Sequence, residues 1–273
     1  MRITTRRRAR LSAAALATAG LAMIASPALA ATAAPQHLAP YGQLTCGSGF
    51  IEPGTYISIL VTGNCSLTDF GTVVVNGDLR VAHDAKFNAV TAGTLIVDGN
   101  FYSGTNSITD IGCNVKSVGP PCTNNSNDVV MGDVTSDNAL EMSWHNVTVG
   151  GWYDIVGQHQ YTDNTDCSQT DPTGTPDYFT FEDGSVGGNL TYQGNRTCWL
   201  GLFRTHVGGS VYILSNHTNT TVPGIKFDSP EIATNTIAGS LNCSGNTPPP
   251  TFGDSKGKPN KAAKGKFGQC KNL

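Results

Sequence analysis

One phrase is written seven times along this chain: a β-branched residue, any residue, a glycine, a fourth residue that is most often polar, and an apolar or aromatic one. The phrase glycines are Gly77, Gly99, Gly132, Gly151, Gly188, Gly209 and Gly239, spaced by 22, 33, 19, 37, 21 and 30 residues. Two positions before each stand Val75, Val97, Val130, Val149, Val186, Val207 and Ile237; two after stand Leu79, Phe101, Val134, Tyr153, Leu190, Val211 and Leu241. Alternating inward and outward residues bounded by turn residues describe short strands. A repeat of about 20 residues carrying one such motif is the mark of a solenoid.

Stacking follows from burial. One coil cannot bury its Val and Leu face alone, whereas equivalent positions of successive coils, about 4.8 Å apart, form a continuous dry core, and seven coils make a rod of roughly 34 Å. The phrase glycines fit a bend where a Cβ would crowd the neighbouring coil. The position after each glycine reads as a hydrogen-bonding ladder through Asp78, Asn100, Asp133, Asn189, Ser210 and Ser240, which Trp152 breaks. Three spacings exceed the basic period because of insertions at 104–128, 157–184 and 215–235, all between the fourth position after the glycine and the next β-branched column. They are expected to leave the rod on one side, where insertions in solenoids commonly build a binding face or cover an edge.

The flanks set the compartment. Residues 1–30 carry Arg2, Arg6, Arg7, Arg8 and Arg10, an apolar run and Ala28-Leu29-Ala30, the pattern of a secretory signal peptide. No later run approaches the roughly 20 apolar residues of a membrane helix. An exported location makes the eight cysteines disulfides rather than metal ligands, and sequential pairing gives Cys46 with Cys65, Cys113 with Cys122, Cys167 with Cys198 and Cys243 with Cys270. Residues 31–45 read as a disordered start, 46–70 as an N-terminal cap, 71–246 as the solenoid and 247–273 as a basic tail or C-terminal cap. Residues 31–253 hold six Lys and Arg against 19 acids, net −13, which argues against nucleic acid as a partner. The tail carries six Lys and Asp254, net +5, and suits an anionic wall polymer or plain solvation.

Over residues 71–245 the phrases and insertions resemble parallel β-helix proteins, the architecture of pectate lyases, polygalacturonases and bactofilins. The Gly-Gly-Asn phrase and the Gly268-Gln269-Cys270 ending are also similar to secreted proteins of Gram-positive bacteria, a resemblance that implies no activity. The expected fold is therefore all-β, a single-stranded parallel β-helix. Coils of 19–22 residues exceed the roughly 18 of left-handed hexapeptide helices, which favours a right-handed one.

Chemistry is less legible. The Asn-Thr-Asp, Asp-Asp and Gly-His-Gly motifs of polygalacturonases do not occur, and no catalytic residue is assigned. Glycoside hydrolysis needs two facing carboxyls, which Asp163, Asp166, Asp171, Asp177, Glu182 and Asp183 of the second insertion could form with Asp228 and Glu231 of the third. Loop acids are more often simply solvated. Asp163-Asn164-Thr165-Asp166 is oxygen-rich enough to suit calcium but lacks the spacing and glycine of an EF-hand loop. Gly253-Asp254-Ser255-Lys256-Gly257 matches a nucleophile elbow in letters only, since no strand, helix or later histidine accompanies it. Of Trp144, Trp152 and Trp199, Trp152 stands in an otherwise polar column and is the exposed candidate for stacking on sugar. The candidate binding residues are thus Trp152, Tyr153, His159 and Tyr161 with Asp163, Asp166, Asp228 and Glu231. The leading expectation is a secreted or surface-bound module for polysaccharide or cell-wall polymer; a carbohydrate-active enzyme and an end-to-end stacking protein are the alternatives.

Overall fold

A computed structural model describes residues 41–116, 122–157, 178–218, 230–253 and 257–273. It is all-β, with parallel strands stacked into a nearly closed, solenoid-like sheet. Each coil contributes to up to three faces. The first face stacks Thr72–Val75, Thr94–Val97, Asp128–Val130, Val147–Val149, Ser185–Val186, His206–Val207, Thr236–Ile237 and Lys261–Ala262. The second stacks Leu79–Val81, Phe101–Ser103, Val134–Asp137, Tyr153–Val156, Leu190–Gln193, Val211–Leu214, Leu241–Ser244 and Lys266–Gly268. The third stacks Lys86–Ala89, Ile108–Ile111, Glu141–His145, Tyr178–Glu182, Trp199–Phe203 and Glu231–Ala233.

The register is the one the phrases define. Val75, Val97, Val130, Val149, Val186, Val207 and Ile237 pair in succession, as do Leu79, Phe101, Val134, Tyr153, Leu190, Val211 and Leu241. Both columns are buried. The glycines are required where the first face turns into the second: a Cβ on Gly99 would lie 2.6 Å from the carbonyl of Gly77, and one on Gly239 2.8 Å from the carbonyl carbon of Gly209. The turn ladder forms as well. Asp78 Oδ1 accepts the Asn100 N–H at 3.0 Å, Asn100 Oδ1 that of Asp133 at 2.9 Å, Asp133 Oδ1 that of Trp152 at 2.8 Å, and Asn189 Oδ1 that of Ser210 at 2.8 Å. An indole has no acceptor to pass on, so the ladder stops at Trp152 and restarts at Asn189.

The third face has no glycine phrase to announce it. Its inward column runs Ala89, Ile111, Trp144, Phe181, Leu202 and Ile232, and it closes the core with aromatics. Phe101 meets Trp144 edge-on at 4.9 Å, Trp144 meets Tyr153 at 5.5 Å, and Tyr153 meets Phe181 at 4.8 Å. This face corrects the expectation that all insertions leave on one side. The first breaks the chain after the third-face strand Ile108–Ile111, whereas the second and third fall between second-face and third-face strands. They leave from different corners because a strand, invisible in the phrase register, sits inside each linking stretch.

The ends are stacked too. Tyr41–Ile51 begins before Cys46 and pairs in parallel with Gly54–Leu67, a strand long enough to pair with all three faces of the next coil. The tail pairs through Lys261–Ala262 and Lys266–Gly268. Three of the sequential disulfides are present, Cys46–Cys65, Cys113–Cys122 and Cys243–Cys270. Cys198 is disulfide-bonded; Cys167 lies outside the described residues.

Candidate functional site

On the second face an outward column runs Arg80, Tyr102, Thr135 and Asp154, in register from coil to coil. Beside it climbs the turn ladder Asp78, Asn100, Asp133 and Trp152. Between the two columns lies a shallow groove of about 240 Å³ lined by Asp78, Arg80, Asn100, Tyr102, Asp133 and Thr135. Its groups are held in place before any ligand arrives. Arg80 Nη2 donates to Asp78 Oδ2 at 3.2 Å, its guanidinium stands 5.8 Å from the centre of the Tyr102 ring, and Tyr102 Oη donates to Asp137 at 3.5 Å. The Asn100 backbone N–H, with help from Arg80, keeps the Asp78 carboxyl below its ordinary pKa. Partial burial, reinforced by Asp137, raises that of Tyr102.

Trp152 stands one coil beyond Asp133, 58% exposed. Its ring is not loose: a Cβ on Gly188 would fall on Trp152 Cδ1, so the indole lies against the backbone of the following phrase. A side chain at position 188 would evict it. The combination is a flat aromatic ring, fixed from beneath, at the end of a groove of carboxylates, amide, hydroxyls and guanidinium.

A second depression lies where the third face turns into the first. It measures about 700 Å³ and is lined by Asn114, Lys116, Asn125, Asn146, Glu182, Asp183 and Arg204. Asn114, Lys116 and Asn125, near the Cys113–Cys122 disulfide, form one side, and Asn146, Asp183 and Arg204, all in left-handed backbone conformation, form the other. Arg204 binds both neighbouring acids: its Nη2 donates to Glu182 Oε2 at 2.7 Å and to Asp183 Oδ2 at 2.9 Å, and its Nε to Asp183 Oδ1. Thr180 Oγ1 donates to the other oxygen of Glu182 at 2.9 Å. These acids push the Arg204 pKa up, Asp183 foremost. His145 Nδ1 stands 3.9 Å from Glu182 Oε2, and burial lowers the pKa of its imidazole against the pull of Glu182 and Asp183.

The residues singled out in the sequence fall into three groups. Trp152 is on the surface. Tyr153 is turned inward with no exposed surface, in the aromatic core beside Tyr192 at 6.0 Å, and Glu231 is buried on the third face. His159, Tyr161, Asp163, Asp166 and Asp228 lie outside the described residues, as do Asp171 and Asp177. Among the described residues no group of three or more His, Cys, Asp and Glu side chains could hold a metal ion. Sequence reading did not bring Arg80 and Tyr102 together, nor Lys116 with Arg204, because each pair is made by coil stacking. The only local signal was the column two residues beyond each ladder position, where Arg80, Tyr102, Thr135 and Asp154 stand.

No protein-family model matches the chain, nor does any curated protein or any solved structure.

Proposed function

We propose that this protein is a secreted, extracellular or cell-surface module that binds carbohydrate or cell-wall polymer without cleaving it. We read its solenoid as a single-stranded, right-handed parallel β-helix with about seven phrase-bearing coils. Trp152 carries the functional reading. An indole exposed at the end of a polar groove and backed by glycine supplies a rigid apolar plate, and such amphipathic surfaces suit pyranose rings, whose faces are apolar and whose edges are hydroxylated. The groove at its side offers the matching hydrogen-bond donors and acceptors on a stack of coils about 4.8 Å apart. An extended polymer lying along the rod would meet an outward polar side chain on each of these coils.

The enzymatic alternative draws on one observation, the pair Glu182 and Asp183 in the corner cleft with His145 3.9 Å from Glu182. Against it, both carboxylates accept hydrogen bonds from one guanidinium, whereas hydrolysis by an acid and base pair needs one carboxyl held protonated. Co-sedimentation with insoluble wall and plant polysaccharides, with each supernatant assayed for released sugar, separates the two. The expected result is protein in the pellet without sugar release, and a bound fraction that falls about tenfold or more in affinity for Trp152→Ala, as for an aromatic anchor. Time-dependent sugar release would replace the binding reading with the enzymatic one. Absence from every pellet would overturn both.

A further inference from the structure

Charge is segregated along the rod. Residues 41–204 hold 17 acids against five Lys and Arg, net −12, whereas residues 205–273 hold three acids against seven Lys, net +4. The structure shows how those lysines are presented. Residues 257–273 continue the stack: Lys261–Ala262 extends the first face, Lys266–Gly268 extends the second, and Cys243–Cys270 ties them to the coil beneath. Lys258, Lys261, Lys264 and Lys271 are exposed there. Among the described residues from 205 onward the one acid is Glu231, and it is buried. The next acid back along the described chain, Asp183, lies three coils away through Phe203-Arg204, Ala233-Thr234 and Lys258. That is roughly 14 Å on a spacing of about 4.8 Å, beyond the Debye length of about 8 Å at physiological salt. The end of the rod is therefore locally cationic on an acidic body.

An aromatic ring stands among these lysines. Phe267 pairs with Asn242 and tops the outward second-face column that passes through Tyr212 and Asn242; it is 51% exposed. Its ring leans back over the turn, since a Cβ on Gly265 would lie 3.2 Å from Phe267 Cζ. Lys264 precedes that glycine, and its backbone N–H is anchored on the Gly239 carbonyl at 3.0 Å. Lys271 follows at the next turn, where its N–H donates to the Gly268 carbonyl at 3.2 Å. Lys266 is committed elsewhere, because its Nζ donates to the Leu273 carbonyl. The arrangement parallels Trp152, which also rests on a turn glycine, but with the opposite charge: Trp152 has Asp133 at its backbone N–H, and Phe267 has lysines on both sides. A flat ring beside ammonium groups suits a sugar that carries an acid, its apolar face on the ring and its anion on the donors. Adsorption to a membrane surface needs a broad apolar face, and Phe267 is the one large apolar side chain exposed on this coil among the described residues.

We infer that the terminal coil is a second binding site, for an acidic saccharide whose ring stacks on Phe267 and whose carboxylate or phosphate meets Lys264, with Lys261 and Lys271 at the margins. The inference goes beyond the Trp152 groove and does not rest on it. The test is calorimetric titration of the full chain with trigalacturonate, mannose 6-phosphate, neutral cellotriose and poly(glycerol phosphate). The informative variants are Lys264→Gln and Phe267→Ser, both at exposed positions, with thermal melting to show that each stays folded. The expected result is binding of trigalacturonate or mannose 6-phosphate, the tighter of the two naming the acid, with cellotriose and poly(glycerol phosphate) each weaker by about tenfold or more. Affinity is expected to fall about threefold for Lys264→Gln, as for an exposed ion pair, and about fivefold for Phe267→Ser. It should also weaken severalfold from about 50 to about 300 mM NaCl. No binding of either acidic sugar, equal affinity for cellotriose, or poly(glycerol phosphate) bound as tightly with no effect of Phe267→Ser would each overturn the assignment. Loss of binding in Trp152→Ala in place of the Phe267 variant would overturn it too, and would leave the groove reading standing.

Discussion

Asp128 shows how an insertion is accommodated by one side chain. The strand Thr94–Val97 pairs with the next coil only from Ile96 onward, because the chain returns from the disulfide loop at Asp128. The Leu95 N–H, left without a strand carbonyl, donates instead to Asp128 Oδ1 at 2.7 Å, and Ser126 Oγ donates to Oδ2 at 2.6 Å. Burial nevertheless wins over both hydrogen bonds and lifts the carboxyl from 3.8 to about 6. The raised value means the protonated acid is favoured in the fold. Its stabilising contribution is present in full below 3.8, the unfolded value, and is lost as pH rises through about 6. A difference of roughly two units corresponds to an order of 3 kcal/mol. Asp128→Asn, which retains an acceptor for Leu95, is expected to be more stable than the parent at pH 8 and to match it near pH 4. Urea unfolding at the two pH values measures this, and an equal difference at both would show that the carboxyl does not govern it.

At the scale of elements, buried side-chain ladders hold the corners where backbone pairing is thin. Asn195, Asn216, Asn246 and Gln269 stack one above another. Asn216 Nδ2 donates to the Tyr192 carbonyl and to Asn246 Oδ1, both at 2.9 Å, while its own Oδ1 accepts the Asn195 N–H and Nδ2 at 3.1 and 2.8 Å. Asn216→Leu strands several buried polar groups at once, so it is expected to cost about 3 kcal/mol or more. Asn189→Ala in the outer turn ladder exposes its partner, the Ser210 N–H, to water and should cost about 1 kcal/mol. Chemical denaturation of the two variants tests the contrast, and near-equal losses would show that burial is not what sets it. The inner ladder also marks how far the sequence can be read. The phrase glycines stood out because the bend admits nothing larger, and Trp152 stood out because it interrupts a polar column. The inner asparagines are equally periodic, at the seventh position after Gly188, Gly209 and Gly239, yet a lone Asn beside a glycine or serine reads as an ordinary turn. The third face was hidden for a different reason. Its inward column stands 12 residues after Gly77, Gly99 and Gly132, at Ala89, Ile111 and Trp144, but 30, 14 and 23 residues after Gly151, Gly188 and Gly209, at Phe181, Leu202 and Ile232, so the spacing is lost in the second half and the residue types differ throughout. The corner cleft was hidden as well, because single residues from several coils meet there only after stacking.

For the whole molecule, a stacked array is a chain of nearest-neighbour interfaces, and its ends have one neighbour where every inner coil has two. This molecule fastens both ends covalently. Cys46–Cys65 joins Tyr41–Ile51 to the strand it pairs with, and Cys243–Cys270 joins the tail to the second face across 27 residues. Between them the core is continuous, so opening must begin at an end and each released coil exposes the next. The basic tail is the weaker end by burial: Lys261, Lys264 and Phe267 are exposed, and few apolar side chains there face inward beyond Cys270 and Leu273. A closed loop of this length contributes about 3–4 kcal/mol by restricting the open state. Replacing Cys243 and Cys270 together by alanine should therefore release residues 257–273 locally. Amide exchange at Lys261, Ala263 and Gln269, whose N–H groups donate to Asn235, Ile237 and Cys243, is expected to accelerate by two orders of magnitude or more, while Val149, Val186 and Val207 in the middle of the stack keep their protection. Uniform acceleration across both regions would mean that the coils unfold as one cooperative unit and that the terminal disulfide stabilises all of it; no change in either would mean that strand pairing alone holds the tail.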